Sequence, residues 1–552
     1  MKDASSAIGF DSIENEPVIE LTSRTSALTR ARTRVQEVDV FWTGTAAVTA
    51  GLAAVLGWFL RAWPPHEDEA LALFVGRGSL GSVFHTVIAE RGGAPLHFVF
   101  AWIVVHLGGG LTALRVISLV FAAASVPLIA LLGARLADRM VGLVAAVLAA
   151  GSWVLLFHGI YGRMYSLFLF TSLLSFLALL SALDSGRRQH FALWGLALLA
   201  VLASHPYAVL VIAAQGLFVV SRRERVRDAL VTLAVLGVVG IPFWWADLVL
   251  RNRFDVGVGG GGPRLGSPRS VLRYFWWVSG DFSAGHRAWS IPVLLLALAG
   301  TVLLVRRRRD SVLLTACVVA VPAVAFMVAT LRSTASPEAR HLIFALPFFS
   351  ALLAVPIVAA GRLRPPLSAA LALVATAVLL VGEVRWAHRK TPALFDGDPR
   401  VVAQGRDSAA KWLASTARRN DLLFGYEPVF LRAWERNRSF SKEALPRADP
   451  ALFAEELKHI AQPLGRGIWV LDASDTTNVS QRETIPLVLP KPESAFEGHA
   501  YGPFLVIRSR RPLLTRARYL AASEEVMRLG RRLHIGDADI NLRTILQARS
   551  RL

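Results

Sequence analysis

The chain has 552 residues, 54% of them hydrophobic, and a formal net charge of +20 at pH 7. Apolar runs recur from residue 40 to residue 386, and many of them reach the roughly 20 residues that a membrane-spanning helix needs. This pattern excludes a soluble globular protein and predicts an all-α polytopic membrane bundle. The single cysteine, Cys317, lies inside an apolar run, so an intrachain disulfide is excluded.

Much of the positive charge lies in short clusters between the apolar runs, where basic residues orient spans towards the cytoplasm. We therefore attribute the charge to topology and to contact with anionic membrane lipids, and we expect no nucleic-acid partner. The clusters after the first span are Arg135 with Arg139, Arg187 with Arg188, Arg222 through Arg227, Arg306 through Arg309, and Arg362 with Arg364.

The N-terminal 37 residues are polar and carry four arginines shortly before the first apolar run. That run is too long for the hydrophobic region of a signal peptide, and no convincing cleavage site accompanies it. Residues 1–37 are therefore predicted to be a disordered cytoplasmic tail. The first helix is predicted to remain attached, as the start of a membrane module over residues 38–390.

Eleven spans are predicted if every basic cluster is to lie on the cytoplasmic side. This parity requires that the apolar stretch 95–108 does not cross the membrane, and its short length favours a juxtamembrane or re-entrant helix. Residues 62–112 then form one external loop, and the C-terminus is extracytoplasmic. The predicted spans are 40–61, 113–134, 141–157, 164–184, 190–204, 206–220, 228–248, 289–305, 311–331, 340–360 and 366–386.

A second external loop is predicted at residues 249–288. It contains a glycine tract, Gly257 through Gly262 interrupted by Val258. No Lys-Ser or Lys-Thr follows the tract as it would in a phosphate-binding P-loop, so we interpret it as a flexible lid or linker. The aromatic residues from Tyr274 to Trp277 predict an interfacial helix at the level of the lipid headgroups.

The composition changes after residue 386. Residues 395–514 alternate short β-rich runs with helical stretches, which predicts a small extracytoplasmic α/β domain over residues 395–552. The basic, amphipathic tail from residue 515 is expected to form a helix on this domain or on the membrane surface. The β-rich runs are 421–426, 467–474 and 503–509, and the helical stretches are 408–416 and 450–462.

Three consecutive acids, Glu67, Asp68 and Glu69, follow His66 at the edge of the bilayer. Carboxylates beside a region of low dielectric constant are costly unless they are paired or used. One of them could act as a general base towards a hydroxyl group. Together with His66 they could instead bind a divalent cation such as Mg²⁺ or Mn²⁺, or form only the solvated cap of a loop.

Two more motifs lie at external span ends. Arg163 stands between Tyr161 and Tyr165, and its guanidinium group can bind two phosphate oxygens while the tyrosines bond a headgroup. An arginine that only extends towards the membrane surface is the alternative interpretation. His205 and Tyr207 occupy a turn between two spans, where a structural role is favoured over binding.

A fourth motif surrounds the external end of a later span and contains Arg332, Glu338, Arg340 and His341. Arginines on the external side do not serve the positive-inside rule, so they predict anion binding. An acid, several arginines and a membrane edge together suit transfer from a lipid-linked sugar phosphate. The arginines would neutralise the phosphate as its bond to the sugar breaks, while a carboxylate takes the proton of the attacking hydroxyl.

The chain resembles the GT-C superfamily of integral membrane glycosyltransferases, and within it the family 39 type related to protein O-mannosyltransferases and bacterial aminoarabinose transferases. The resemblance covers residues 40–386. It rests on Asp68-Glu69-Ala70, Pro95-Leu96-His97-Phe98, Arg163-Met164-Tyr165-Ser166 and Arg340-His341-Leu342.

This resemblance implies inverting transfer of a sugar, such as mannose, from a polyprenyl-phosphate-linked donor to a hydroxyl of a lipid, glycan or protein. It implies that Asp68 is the catalytic base and that Glu69 is its helper or a metal contact. The donor phosphate is assigned to Arg163, Tyr165, Arg340 and His341, and the substrate-side candidates are His66, His97, His205, Tyr207 and Arg332. Gly93-Ala94 depart from the histidine or acid that relatives often place before the proline, and this departure argues against a metal site.

Two other functions compete with a transferase. A lipid or saccharide transporter or flippase would explain the spans and the arginines, but it predicts charged residues at mid-depth and broken helices in two matching halves. A structural or assembly protein would leave the acid cluster unexplained. The gathering of polar residues on one face of the membrane favours the enzyme.

Overall fold

The computed structural model describes residues 17–253, 265–331, 337–363, 366–441, 443–447, 449–474 and 495–552. Arg332 and the glycine tract at 257–262 lie outside these ranges. Within them, a bundle of apolar helices is followed by a small α/β domain, which confirms the predicted fold class.

Helix α1 extends over Pro17–Ala62, and its apolar part Val40–Ala62 is long enough to cross a bilayer. The helix begins inside the segment 1–37 for which disorder was predicted. Residues 17–39 contain no glycine, and their one proline stands at the first helical position, where proline is tolerated. The cytoplasmic location of this segment stays a prediction.

The predicted external loop 62–112 is mostly helical. Its elements are α2 (Glu67–Val75), α3 (Leu80–His85), a π-helical turn (Thr86–Arg91) and α4 (Leu96–His106). Helix α4 has 11 residues, fewer than a span needs, as predicted for the stretch 95–108.

The remaining helices of the membrane module correspond to the predicted spans, except α13, which lies in the predicted external loop 249–288. They are α5 (Leu111–Leu136), α6 (Arg139–Gly151), α7 (Trp153–His158), α8 (Tyr165–Ser185), α9 (Arg188–Ser204), α10 (Ala208–Arg222), α11 (Val226–Val239), α12 (Ile241–Arg253), α13 (Pro268–Asp281), α14 (Ser290–Arg307), α15 (Arg309–Ala329), a 3₁₀ turn (Ala339–Ala345) leading into α16 (Leu346–Gly361), and α17 (Leu367–Lys390).

All eleven predicted spans are helical, but they differ in length. Among the described residues, seven helices are long and apolar enough to cross a membrane, and α11 with α12 adds an eighth if this pair, bent by 65°, counts as one span. The other three are shorter: α6 is separated from α7 at Ser152, α9 has 17 residues and α10 has 15. Side chains such as Phe168, Trp194 and Phe218 fill the core between these helices.

The predicted aromatic helix is α13. Ser267 caps its N-terminus by accepting a hydrogen bond from the backbone N–H of Ser270. Tyr274 faces inwards and donates its hydroxyl to the carbonyl of Glu338 at 3.0 Å, whereas Trp276 is on the exposed side. The helix therefore supports the segment that carries Arg340.

The C-terminal domain contains a five-stranded mixed sheet. Its elements are α18 (Pro392–Asp396), α19 (Arg400–Thr416), β1 (Leu422–Phe424), α20 (Pro428–Arg436), β2 (Ala444–Leu445), α21 (Pro450–His459), β3 (Gly467–Asp472), β4 (Phe496–Tyr501), β5 (Phe504–Ser509), α22 (Arg516–Arg532) and α23 (Ala538–Arg549). The strand order is β2-β1-β3-β5-β4, with β1 parallel to both of its neighbours and the pairs β3–β5 and β4–β5 antiparallel.

Both faces of this sheet are covered. Helices α21, α22 and α23 bury one face, so the basic tail packs on the domain, one of the two positions expected for it. Helices α19 and α20 cover the other face, and their apolar side chains share a core with α2, α4 and the start of α5. The domain is thus packed against the loop 62–112.

Candidate active site

A cavity of about 450 Å³ opens where the loop 62–112, the ends of the membrane helices and the C-terminal domain meet. It brings together residues from motifs that are far apart in the sequence. The sequence-predicted residues that line it are Asp68, His97, Arg163, Tyr165, His205, Tyr207, Arg340 and His341.

Asp68 is held in the first turn of α2. His66 is the N-cap, and its Nδ1 accepts the backbone N–H of Asp68 at 3.2 Å, while the Glu69 carboxylate accepts the backbone N–H of His66 at 3.0 Å. This reciprocal cap satisfies two backbone donors at the helix start. Acidic side chains in a first turn are also stabilised by the helix dipole.

The Asp68 carboxylate is paired on both oxygens. Arg163 Nη1 lies 2.5 Å from Oδ1, and the hydroxyl of Tyr161 donates to Oδ2 at 2.8 Å. Burial by itself would raise the pKa of Asp68, but the charge of Arg163, with help from His66 and the Tyr161 hydrogen bond, lowers it below the ordinary value. Asp68 is therefore an ionised acceptor that faces the cavity.

Glu69 does not face the cavity. Its side chain is fully buried and forms a bidentate pair with Arg115, at 2.8 and 2.6 Å, and its Oε1 also accepts the backbone N–H of Gly162 at 2.8 Å. The sequence-based role as helper or metal contact therefore needs correction. Glu69 joins α2 to α5 and to the turn before α8, and this turn presents Arg163.

Arg163 and Arg340 form the cationic side of the cavity. Arg340 Nη2 binds Glu338 Oε1 at 2.7 Å, and its guanidinium carbon lies 5.1 Å from the centre of the Tyr165 ring. The Nε atoms of both arginines are buried without a hydrogen-bond partner in the described part of the chain. Buried donors of this kind are costly unless an acceptor reaches them, so the pair suits an anionic ligand.

The histidines of the cavity are uncharged groups. Burial lowers the pKa of His97 and of His205 to about 3, and the positive charge of Arg163 acts in the same direction. His341 accepts the backbone N–H of Glu338 at 2.9 Å and stacks on Tyr207 with ring centres 4.5 Å apart. The histidines and tyrosines thus form a neutral part of the cavity lining.

Two other predicted positions differ from expectation. His66 is half-exposed and does not line the cavity; its Nδ1 contacts the Tyr161 hydroxyl at 2.8 Å. Tyr161 is buried and bonded to Asp68, so it is not free to bind a headgroup as first interpreted. Arg332 lies outside the described residues.

The C-terminal domain supplies residues that the sequence did not reveal. Arg447 reaches the cavity and makes a bidentate pair with Glu67, at 3.1 and 2.6 Å, and also an ion pair with Glu427. Tyr426 accepts a hydrogen bond from Arg91 at 3.3 Å. No local sequence pattern distinguishes Arg447. Arg115 could have been identified from the sequence, because a lone arginine near the start of an apolar span implies a buried partner.

The described residues contain no group of three or more His, Cys, Asp or Glu side chains arranged to hold a metal ion. Two of the groups considered as ligands are also occupied, because Glu69 binds Arg115 and Glu67 binds Arg447. The divalent cation therefore stays an untested prediction, without a cluster that supports it.

No protein-family model and no curated protein matches the chain. Solved structures do match. ArnT from Cupriavidus metallidurans in the apo state has a TM-score of 0.52 and 13% identity over 84% of this chain and 98% of that chain. The same protein bound to undecaprenyl phosphate gives 0.54 and 12% over 85% and 98%.

The apo form of the Archaeoglobus fulgidus oligosaccharyltransferase has a TM-score of 0.50 and 10% identity, over 78% of this chain and 70% of that chain. These proteins share the architecture of a polytopic helical module followed by a C-terminal domain. At such low identity the likeness establishes the fold. The expected GT-C fold is thereby confirmed, although assignment to family 39 stays a prediction.

Proposed function

We propose that this chain, which has the GT-C fold, is a membrane glycosyltransferase that moves a sugar from a polyprenyl-phosphate-linked donor to a hydroxyl acceptor. The observation that carries the proposal is that one cavity contains an ionised acid, Asp68, and two arginines, Arg163 and Arg340, whose buried Nε donors lack a partner among the described residues. ArnT, a neighbour in fold, has been crystallised with undecaprenyl phosphate, which supports a lipid-phosphate ligand here.

The proposed reaction is a single displacement at the anomeric carbon of the sugar. The acceptor oxygen attacks this carbon, and the bond between the carbon and the phosphate oxygen breaks with its electron pair going to the phosphate. Arg163 and Arg340 stabilise the charge that develops on the phosphate. Asp68 takes the proton of the hydroxyl, and attack from the face opposite the leaving group inverts the anomeric configuration.

The acceptor is assigned to the side of the cavity that the C-terminal domain borders. Arg447, Tyr426 and Arg91 border the cavity on the side of the C-terminal domain, and we assign this side to the acceptor, a hydroxyl of a lipid, glycan or protein. The basic clusters between the spans support an extracytoplasmic location for the cavity. Mannose is the sugar that the resemblance to O-mannosyltransferases suggests.

A transfer assay tests the proposal. The protein in lipid nanodiscs is supplied with undecaprenyl-phosphate sugars labelled in the sugar, including mannose and aminoarabinose, and with membrane extract as the acceptor. Label should move to acceptors in the parent protein and not in Asp68→Asn, and nuclear magnetic resonance of the product should show the inverted anomer. A transporter would instead move the labelled lipid across vesicles equally well in both proteins, and that result would refute the proposal.

A further inference from the structure

The Tyr161 hydroxyl lies between two proton acceptors. It is 2.8 Å from Asp68 Oδ2 and 2.8 Å from His66 Nδ1, while these two acceptor atoms are 3.7 Å apart. Tyr161 is 2% exposed, whereas the His66 side chain is 49% exposed. Asp68, Tyr161 and His66 therefore form a row of groups at hydrogen-bond distance that leads from the cavity to solvent.

The backbone determines how this chain is protonated. The N–H of Asp68 donates to His66 Nδ1, so Nδ1 carries a lone pair and the proton of the neutral ring is on Nε2. Tyr161 has one hydroxyl proton to donate. It can bond Asp68, as in this structure, or turn to His66, where it shares the Nδ1 lone pair with the backbone N–H of Asp68.

The cap alone does not account for the histidine. Asn, Asp, Ser and Thr are the preferred N-cap residues, and each would accept the Asp68 N–H without placing a titratable ring beside Tyr161. Four groups face the His66 ring and backbone: the Asp68 carboxylate, the Tyr161 hydroxyl, Arg163 beyond Asp68, and the Glu69 carboxylate on the His66 backbone N–H. Arg115 neutralises Glu69. A histidine at position 66 therefore differs from the common N-cap residues in its contacts with Tyr161 and Asp68.

We propose that Tyr161 and His66 form a relay that carries to solvent the proton taken up by Asp68. This inference rests on the proposed function. The proton on Asp68 Oδ2 passes to the Tyr161 oxygen as the Tyr161 proton passes to His66 Nδ1, and the Nε2 proton of His66 then leaves to water. Asp68 and Tyr161 return to their starting states, and proton exchange with water returns His66 to the tautomer protonated on Nε2 before the next cycle. No proton crosses the substrate-filled side of the cavity.

The charges at the site favour this direction of transfer. Arg163 occupies Asp68 Oδ1, so Oδ2 is the oxygen from which a proton can leave. Burial raises the pKa of Tyr161 above its ordinary value; a free tyrosinate is therefore unfavourable, and the two proton transfers at Tyr161 occur together.

Three variants test the relay, and each preserves a different structural feature. His66→Asn keeps the N-cap but cannot carry a proton. His66→Gly leaves room for a soluble base, and glycine is tolerated at an N-cap. Tyr161→Phe keeps the ring packing against Trp63 and Phe157 but removes the hydroxyl.

All three variants should bind undecaprenyl phosphate as the parent does, and their turnover in the transfer assay should fall by about tenfold or more, the lower part of the range for lost proton transfer. Added imidazole should restore turnover in His66→Gly and have no effect on Tyr161→Phe. Parental turnover in His66→Asn, or no rescue of a folded, phosphate-binding His66→Gly, would overturn the relay. Those outcomes leave the proposed function intact. The proposed function fails only if the parent transfers no sugar or if Asp68→Asn remains active.

Discussion

Asp68 and Arg163 already bind each other in the cavity, at 2.5 Å, although the proposed reaction needs Arg163 for the donor phosphate and Asp68 for the acceptor hydroxyl. A phosphate that draws on the donors of Arg163 would weaken its hold on Asp68 and make the carboxylate more basic. The two halves of the reaction are then coupled through one side chain, because donor binding prepares the base.

The coupling makes a prediction about Asp68→Asn. Asparagine keeps the size of the side chain but does not compete with phosphate for the Arg163 charge, so undecaprenyl phosphate should bind more tightly. A hydrogen bond to a charged group is worth about 1.5 kcal/mol or more, which corresponds to roughly a tenfold lower Kd, while turnover should fall about 10²- to 10⁴-fold. Binding in nanodiscs measures the first effect, with Glu67→Gln as the matched control; weaker binding by Asp68→Asn would contradict the coupling.

Arg163 also predicts a change in pH dependence. In the parent, the pKa of Asp68 lies below its ordinary value, so Asp68 stays ionised as the pH falls towards 4. In Arg163→Gln the effect of burial is no longer opposed by this cation, so the pKa should rise. The acidic limb of kcat/KM should then move to higher pH, and it should move less in Arg340→Gln because Arg340 is the weaker influence on Asp68. Identical profiles in all three proteins would contradict this electrostatic account.

Most of the residues that line the cavity could be predicted from the sequence. The sequence did not show which of the adjacent acids face the cavity. Successive residues on an α-helix point about 100° apart, so the three acids have different surroundings: Glu67 and Asp68 line the cavity, whereas Glu69 points to Arg115. Which of them faces the cavity depends on where α5 and the turn at Gly162 lie, and that is decided by tertiary packing. Composition and spacing alone do not contain this information.

The start of α2 depends on the buried pair of Glu69 and Arg115. In Glu69→Gln the arginine remains buried without a countercharge, and breaking such a pair typically costs about 3–5 kcal/mol. We expect a lower melting temperature in detergent and a loss of transfer that follows the loss of folding.

A double variant provides the control for this element. Glu69→Leu with Arg115→Met removes both charges, and well-packed apolar replacements of buried pairs are often neutral or stabilising, so much of the stability should return. If Glu69→Gln melts like the parent and loses only turnover, Glu69 has a chemical role and the structural assignment is wrong.

The elements of the membrane module could be predicted because each apolar run is long and is bounded by charges. The C-terminal domain was predicted less completely. Strands β1, β3 and β5 are buried and rich in branched and aromatic residues, and they fall within the predicted runs. Strand β4, Phe496–Tyr501, lies at an edge and contains a glycine and polar residues, so its sequence carries little strand signal.

At the scale of the whole molecule, the C-terminal domain and the loop 62–112 are bound to each other. Arg77 donates to the carbonyls of Ser441 and Phe440 at 2.8 Å, and the backbone N–H of Leu111 donates to Glu435 at 2.9 Å. The two regions must therefore lie on the same face of the membrane, whichever face it is.

Reporter fusions after residues 90 and 400 test this arrangement. Both should give the same signal, and the basic clusters between the spans predict that this signal is extracytoplasmic. Opposite signals would contradict the packing of the domain on the loop. A cytoplasmic signal at both positions would preserve the packing and reverse the predicted orientation of the whole protein.

The pairing of Glu67 with Arg447 also has a consequence for biosynthesis, because it joins residues 380 positions apart in the chain. At elongation rates of about 5–20 residues per second, the loop precedes its partner domain by roughly 20 to 80 seconds. During that interval the apolar side chains of α2 and α4 lack the side chains of α19 and α20 that complete their core in the full chain. The loop should accordingly be sensitive to protease in chains stalled near residue 390 and become resistant once the full chain is released, so the reaction site is assembled last.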